Sequence, residues 1–216
     1  MDRHTPFSDE ERDILAVRAK RELRKRMRSL RAMIPESQRT ARSHALVAHV
    51  LAMPAWREAR TVALFASMGD EVQLQTLYEA AKSQAKHVAL PRVYPRVAEG
   101  EPLATRSGLV FLTRFDGATE FATETSDYGI DEPAEESPVV PMGSLDLVVV
   151  PCLAVDPRGH RLGYGMGYYD QALPQCARAV TAVVCFDFQL LAELPIRTED
   201  HACQWIVSDK RTLRAE

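Results

Sequence analysis

The chain of 216 residues is 46% hydrophobic and 26% charged, enough to bury one substantial core without crosslinks or a structural metal. Its formal net charge of −3 excludes a surface built throughout for phosphate backbones, so any anion site must be local. No apolar run reaches the roughly 18 to 20 residues of a membrane-spanning helix, and the longest, Leu145 to Val155, is interrupted by Asp146 and Pro151.

The first fifteen residues hold five acids and no apolar block of signal-peptide length. They predict neither a secretory leader nor a transit peptide, and hence a cytoplasmic protein. Ser8 followed by Glu11 has the spacing of a capping box, and Leu15, Ala19, Leu23, Met27 and Leu30 recur every three to four residues. A long amphipathic helix follows from this pattern, ending near Met33 because Ile34 precedes Pro35. A second helix is expected from Ser37, with Ala41, Ala45, Leu46 and Val50 on one face and Pro54 as its stop. Beyond it, short apolar or β-branched runs alternate with helical stretches, the signature of an α/β layer architecture.

Thr61 to Ser67 reads as a strand, Val72 to Gln84 as a helix, His87 to Val93 as a strand and Gly108 to Phe115 as a strand nearer an edge. The polar stretch through Asp127-Tyr128-Gly129 to Pro141 is long for a connection inside a compact domain and suits a pocket wall. Leu145 to Val155 has the composition of a central strand covered on both faces. Tyr168 to Leu173 begins a helix, Ala179 to Phe186 is another buried strand and Trp205 to Ser208 a last short one. The expected fold is α/β: one domain over residues 18–216, three layers α/β/α around a central, mainly parallel mixed sheet, with residues 1–17 as an N-terminal extension. Cys152, Cys176, Cys185 and Cys203 show neither metal nor redox spacing and read as reduced thiols, mostly in the core.

Between the central strand and the helix at Tyr168 runs the segment DPRGHRLGYGMGYYD, residues 156–170. Gly163, Gly165 and Gly167 at every second position allow successive N–H groups to face one anion. The helix start adds free amide donors, and Arg161 adds a full charge. At the carboxyl end of a strand such a loop suits nucleotide phosphates; a tight turn without a ligand is the other reading of the same glycines. The spacing matches neither the P-loop nor the dinucleotide fingerprint. Asp170, just past the loop, offers the hard oxygen that a magnesium ion bridging phosphates requires.

The decapeptide RLGYGMGYYD, preceded by the LDLVVVP strand and a D-x-x-G turn, resembles the signature of the 5-formyltetrahydrofolate cyclo-ligase (methenyltetrahydrofolate synthetase) family. Lys20-Arg21-Glu22-Leu23-Arg24 resembles its N-terminal K-x-x-L-R, Ser67 to Val72 its S-x-x-x-E-[VI], and Tyr128 to Pro133 its G-I-x-E-P turn. Phe186, Gln189, Pro195 and Asp200 are similar in order and spacing to its F-x-x-Q and P-x-x-x-x-D. The resemblance covers roughly residues 18 to 210.

Members of that family use ATP and magnesium to convert 5-formyltetrahydrofolate into 5,10-methenyltetrahydrofolate, releasing ADP and phosphate. The resemblance implies ATP contacts from Lys20, Arg21, Glu22, Leu23 and Arg24 on the first helix. In the loop it implies them from Arg161, Leu162, Gly163, Tyr164, Gly165, Met166, Gly167, Tyr168 and Tyr169. It implies folate contacts from Arg24, Ala66, Glu71, Tyr128 and Tyr168, catalytic roles for Arg161 and Tyr168, and magnesium on Asp170 and Asp200. It also implies a monomer acting on a small-molecule folate, singly or multiply glutamylated, with no nucleic-acid or membrane partner. Met166 stands where many relatives carry lysine, and Gln204 where acids are frequent.

Taken alone, each residue has a plainer reading. Lys20 and Arg24 sit among Arg18, Arg21, Lys25, Arg26, Arg28 and Arg31 as a solvated basic face, Glu71 as a first-turn acid, Asp200 as a turn acid, Tyr164 and Tyr169 as core aromatics. Two other functions compete: a family member that binds nucleotide or folate without turnover, and an RNA-binding protein using the basic helix.

Overall fold

The computed structural model describes residues 8–94, 108–117, 119–126 and 129–216. The chain opens with α1 (Asp9–Ala32), capped by the reciprocal Ser8–Glu11 box, then α2 (Glu36–Ala52) and the short α3 (Pro54–Glu58). Strand β1 (Thr61–Ala63), α4 (Gln75–Ser83), β2 (His87–Tyr94) and β3 (Gly108–Asp116) follow. Three short strands come next, β4 (Thr119–Glu120), β5 (Thr123–Thr125) and β6 (Asp131–Pro133). The second half holds β7 (Leu147–Pro151), β8 (Ala154–Val155), β9 (Arg161–Leu162) and α5 (Tyr168–Ala172). It ends with β10 (Val180–Cys185), β11 (Trp205–Ser208) and β12 (Thr212–Arg214).

Eight strands form one mixed sheet in the order β12-β11-β10-β7-β1-β2-β3-β4. The five from β11 to β2 are parallel, and antiparallel strands close both edges. Alternation along the strands builds two cores. Val62, Leu147, Val149, Ala182 and Val184 pack against Leu46, Val50, Trp56 and Leu77 of α2, α3 and α4. Ala63, Val148, Val150 and Val183 pack on the opposite face with Ala172, Leu173 and Cys176. The three-layer arrangement follows directly. All four cysteines are free and buried, and burial pushes the thiols of Cys176 and Cys203 up to about 11.

The sheet differs from the sequence reading in three places. The central strand expected over Leu145 to Val155 breaks after Pro151, the last residue of β7 to pair with β10. Leu153 N–H instead donates to Leu162 O at 2.7 Å, and β8 pairs antiparallel with β9 in a separate ribbon. The buried Gln189 amide donates to the carbonyls of Cys152 and Leu153 and stitches that corner. Arg161 and Leu162 therefore lie in a strand, not in a loop. Second, β1 ends at Ala63, because the chain from Phe65 onward closes a loop in which Ser67 Oγ donates to Val72 O and accepts from Leu74 N–H. That loop delays α4 until Gln75. Third, α3 and β12 carry no period long enough to read from sequence; Pro54, taken as a stop, also occupies the first turn of α3.

Successive crossovers run from β1 to β2 on one side and from β7 to β10 on the other. The order thus reverses between β1 and β7, where open α/β sheets bind ligands outside the carboxyl ends of the strands. The β8–β9 ribbon and the glycine segment rise from this edge.

The turn before β9 tolerates no side chain at Gly159. Its φ is +83°, and a Cβ would lie 2.0 Å from Cys203 O, the carbonyl of the segment leading into β11. Gly159→Ala is expected to cost about 2–3 kcal/mol and to lower the melting temperature by about 6 °C or more. Thermal unfolding followed by circular dichroism measures this; an unchanged midpoint would contradict the packing at Cys203.

Candidate active site

One face of α1 builds the site. Met27 is 2% exposed and packs on Leu153, Leu162 and Leu194, with Leu23 beside it, which pins the helix across β8–β9. Positions three, four and seven residues away share that face. They are Lys20, Arg24 and Arg31, and each reaches a different loop at the carboxyl edge of the sheet. Buried Lys20 forms an ion pair with Asp200. Arg24 Nε donates to Gly163 O at 2.9 Å. Arg31 donates to Asp70 Oδ1 at 2.8 Å and to the Tyr164 hydroxyl at 2.9 Å. Arg21 and Glu22 are exposed.

Opposite Arg24 lies the glycine segment. Gly165 has φ +113°, and a Cβ there would sit 3.5 Å from Arg24 Cζ, so a backbone free of side chains faces the guanidinium. Arg161, 7% exposed, donates to Asp170 Oδ1 at 2.8 Å and to His201 O at 2.5 Å. His201 N–H also donates to Asp170 Oδ1, at 3.2 Å, so residue 201 acts through its backbone. Arg197 N–H donates to Asp200 Oδ2 at 2.8 Å. Burial, and Arg28 nearby, draw the Arg24 guanidinium down, while Asp200 and Asp170 pull it the other way. Four cations and two carboxylates thus share one region.

Helix α5 is only five residues long before it tightens into a 3-10 turn at Leu173–Gln175. Its dipole is correspondingly small, so the positive charge of this region comes from Arg24 and Arg161 rather than from the helix start. Tyr168 and Tyr169 are half-buried against the second core, and the Arg161 guanidinium lies 5.9 Å from the Tyr169 ring centre. Met166 is 57% exposed. Gln204 accepts from Thr181 N–H and takes no part in the cluster described above.

Among the described residues no group of three or more His, Cys, Asp or Glu side chains is placed to cage a metal. The hydrogen bonds to Asp170 and Asp200 use one oxygen of each. Two carboxylates with oxygens to spare fit magnesium, which is commonly held by one or two carboxylates together with phosphate oxygens.

Glu71, 3% exposed, lies in the loop after β1. It accepts from the Tyr164 hydroxyl and, at 2.9 Å, from Met68 N–H. Ala66 lines a cleft of about 700 Å³ with Tyr78, Arg114, Glu120, Thr123 and Asp131. The polar stretch after β3 therefore does wall a pocket. Tyr128 lies outside the described residues. Arg31 and Asp70, which join α1 to the Glu71 loop, were not singled out from the sequence, although Arg31 falls seven residues beyond Arg24 on the same face.

The sequence profile described as the 5-formyltetrahydrofolate cyclo-ligase family matches residues 16–209. The chain belongs to this family. A 5-formyltetrahydrofolate cyclo-ligase of Mycolicibacterium smegmatis is 30% identical over 203 residues, 93% of this chain and 99% of that protein. The one from Escherichia coli K12 is 31% identical over 173 residues, 79% of this chain and 88% of that protein. The NMR structure of Aquifex aeolicus 5,10-methenyltetrahydrofolate synthetase matches with a TM-score of 0.77 at 26% identity, covering 91% of this chain and 93% of that one. Membership in the cyclo-ligase family makes the chain an enzyme, a ligase of folate one-carbon metabolism in a family that depends on ATP. Among the described residues no helix is long and apolar enough to cross a membrane.

Burial raises Glu71 above the ordinary glutamate value of 4.5, against the lowering effects of Tyr164, Met68 N–H and Arg31. The folded chain therefore binds this proton more tightly than the unfolded chain. Its contribution to stability falls as pH rises from about 4.5 through the raised value and is level above it. Glu71→Gln removes the titration. Urea unfolding of the two proteins across this range should show the difference in stability moving in favour of Glu71→Gln as pH rises; a constant difference would contradict the raised value.

Proposed function

We propose that the chain transfers the γ-phosphoryl group of ATP to the formyl oxygen of 5-formyltetrahydrofolate and then closes the imidazoline ring through N10. A formamide carbonyl is a poor electrophile and its oxygen a poor leaving group. In the first step the formyl oxygen bonds to the γ-phosphorus as the bond to ADP breaks. In the second, N10 attacks the formyl carbon, the carbon–oxygen bond breaks, phosphate leaves with that oxygen and N10 gives up its proton. Both steps need alignment and charge neutralisation rather than a covalent protein nucleophile.

The contact of Arg24 with the glycine segment, together with the ion pairs Lys20–Asp200 and Arg161–Asp170, carries this reading. Lys20 and Arg24 bind triphosphate oxygens, and Arg161 orients Asp170 while facing the transferred group. Asp170 and Asp200 would hold magnesium, which when bound supplies charge neutralisation to the phosphates. Glu71 accepts N–H donors of the reduced pterin, Ala66 borders the folate, and Tyr168, with Tyr128, offers it an aromatic surface.

Incubation with 5-formyltetrahydrofolate, ATP and magnesium should give the near-ultraviolet absorbance of the methenyl product and equimolar ADP. Binding of both substrates without product would overturn the catalytic reading. Asp170→Asn should lose at least about 100-fold in magnesium-dependent kcat with an unchanged circular dichroism spectrum; full activity would remove the metal assignment. Arg161→Ala should raise the KM for ATP more than that for the folate, and an unchanged ATP KM would count against the phosphate cradle.

A further inference from the structure

The Glu71 carboxylate is held by a relay that begins on α1. Arg31, 4% exposed, has only donors to offer. It gives one to the Tyr164 oxygen, so the single phenolic hydrogen of Tyr164 is left for Glu71, to which the hydroxyl donates. Met68 N–H donates to the other carboxylate oxygen. Every bond in the chain runs one way, and Glu71 is its terminal acceptor. Two cations lie over the Tyr164 ring, Arg28 at 5.5 Å and Arg31 at 5.7 Å from its centre. Arg31 itself is anchored by Asp70, one residue before Glu71.

We propose that Tyr164 and Arg31 are positioning residues for the folate site: they hold Glu71 as an oriented carboxylate whose remaining lone pairs face the pterin N–H donors. The proposal rests on the reading of Glu71 as a folate contact. It gives Tyr164, within the glycine segment, a task on the folate side of the site and assigns one to Arg31, outside the K-x-x-L-R segment.

Electrostatics agree with the direction of the relay. Burial, and Glu71 alongside, push the Tyr164 phenol further above its ordinary value, so it stays protonated and able to donate. Burial pushes Glu71 toward its neutral form, and the Tyr164 hydrogen bond, Met68 N–H and Arg31 oppose it, while Asp70 from its own loop reinforces burial. Tyr169 of α5 also feels the Glu71 charge. A Glu71 that loses Tyr164 or Arg31 titrates higher. Since the ionised carboxylate is the stronger acceptor for the pterin N–H groups, the acid limb of kcat/KM for the folate moves to higher pH.

The test compares Tyr164→Phe, Arg31→Met and Glu71→Gln with the wild type, measuring KM for each substrate and kcat/KM for the folate across pH. Tyr164→Phe and Arg31→Met should raise the folate KM about tenfold, leave the ATP KM within about threefold and shift the acid limb upward by about one pH unit. A uniformly lower kcat with an unmoved limb overturns the proposal, because a merely structural role produces that result. If Arg31→Met does not fold, Arg31→Lys, which keeps the charge but not the fork, should give an intermediate shift, and a wild-type limb there counts against the relay. Glu71→Gln separates the two layers. Wild-type folate KM in that variant overturns the reading of Glu71 itself; a raised KM there with unshifted limbs in the other variants overturns only the relay.

Discussion

Burying a cation is unfavourable unless it is paired and hydrogen-bonded, and α1 brings two buried cations and a half-buried third to one face. Their partners come from three segments distant in sequence: Asp200 before β11, Gly163 in the glycine loop and Asp70 after β1. Met27 supplies the apolar pin between them. A helix advances 100° per residue, so a one-residue rotation of α1 would swing all of these side chains away together. The register of α1, set by Met27 in its pocket and by the Ser8–Glu11 cap, therefore fixes the relative placement of three loops that share no secondary structure.

This arrangement joins the two proposed substrate sides. Lys20 faces the Asp200 turn and Arg24 the glycine segment, and Arg31, two turns beyond Arg24 on the same helix, faces the loop that carries Glu71. Under the proposed assignments, phosphate binding at one end of α1 and folate binding at the other restrain one rigid element. Each substrate then finds α1 already ordered by the other, which favours binding of both before chemistry.

The parallel strands were legible because burial on both faces demands nearly continuous apolar runs, as in Leu147 to Val150 and Val180 to Cys185. The break at Pro151 was not: Ala154 and Val155 remain buried and apolar, and their change of partner is set by Arg161 and Leu162, seven residues further on. β12 is a three-residue edge strand without a fully buried side chain, so no hydrophobic pattern marks it. Within the site, the decapeptide and the K-x-x-L-R segment marked, through resemblance to the family, the side to which phosphate binding is proposed. Arg31 was hidden among the other bases of α1, since Arg18, Arg21, Lys25, Arg26 and Arg28 are all exposed and only Lys20 and Arg24 turn inward with it. Only the heptad offset from Arg24 distinguishes it, and composition carries no such phase information.

A chain of net charge −3 attracts a triphosphate only if its cations are gathered at one point. Lys20, Arg24, Arg28 and Arg161 outnumber Asp170 and Asp200 by two. A magnesium–triphosphate complex carries a charge of about −2, which matches that excess. The carboxylates thereby have a double part in the proposed mechanism: they pair Lys20 and Arg161 and offset the cost of burying them, and they would hold the metal, which would leave those cations to phosphate. The short α5 contributes little field of its own, so in the proposed mechanism selectivity for the anion rests on these ion pairs rather than on a helix dipole.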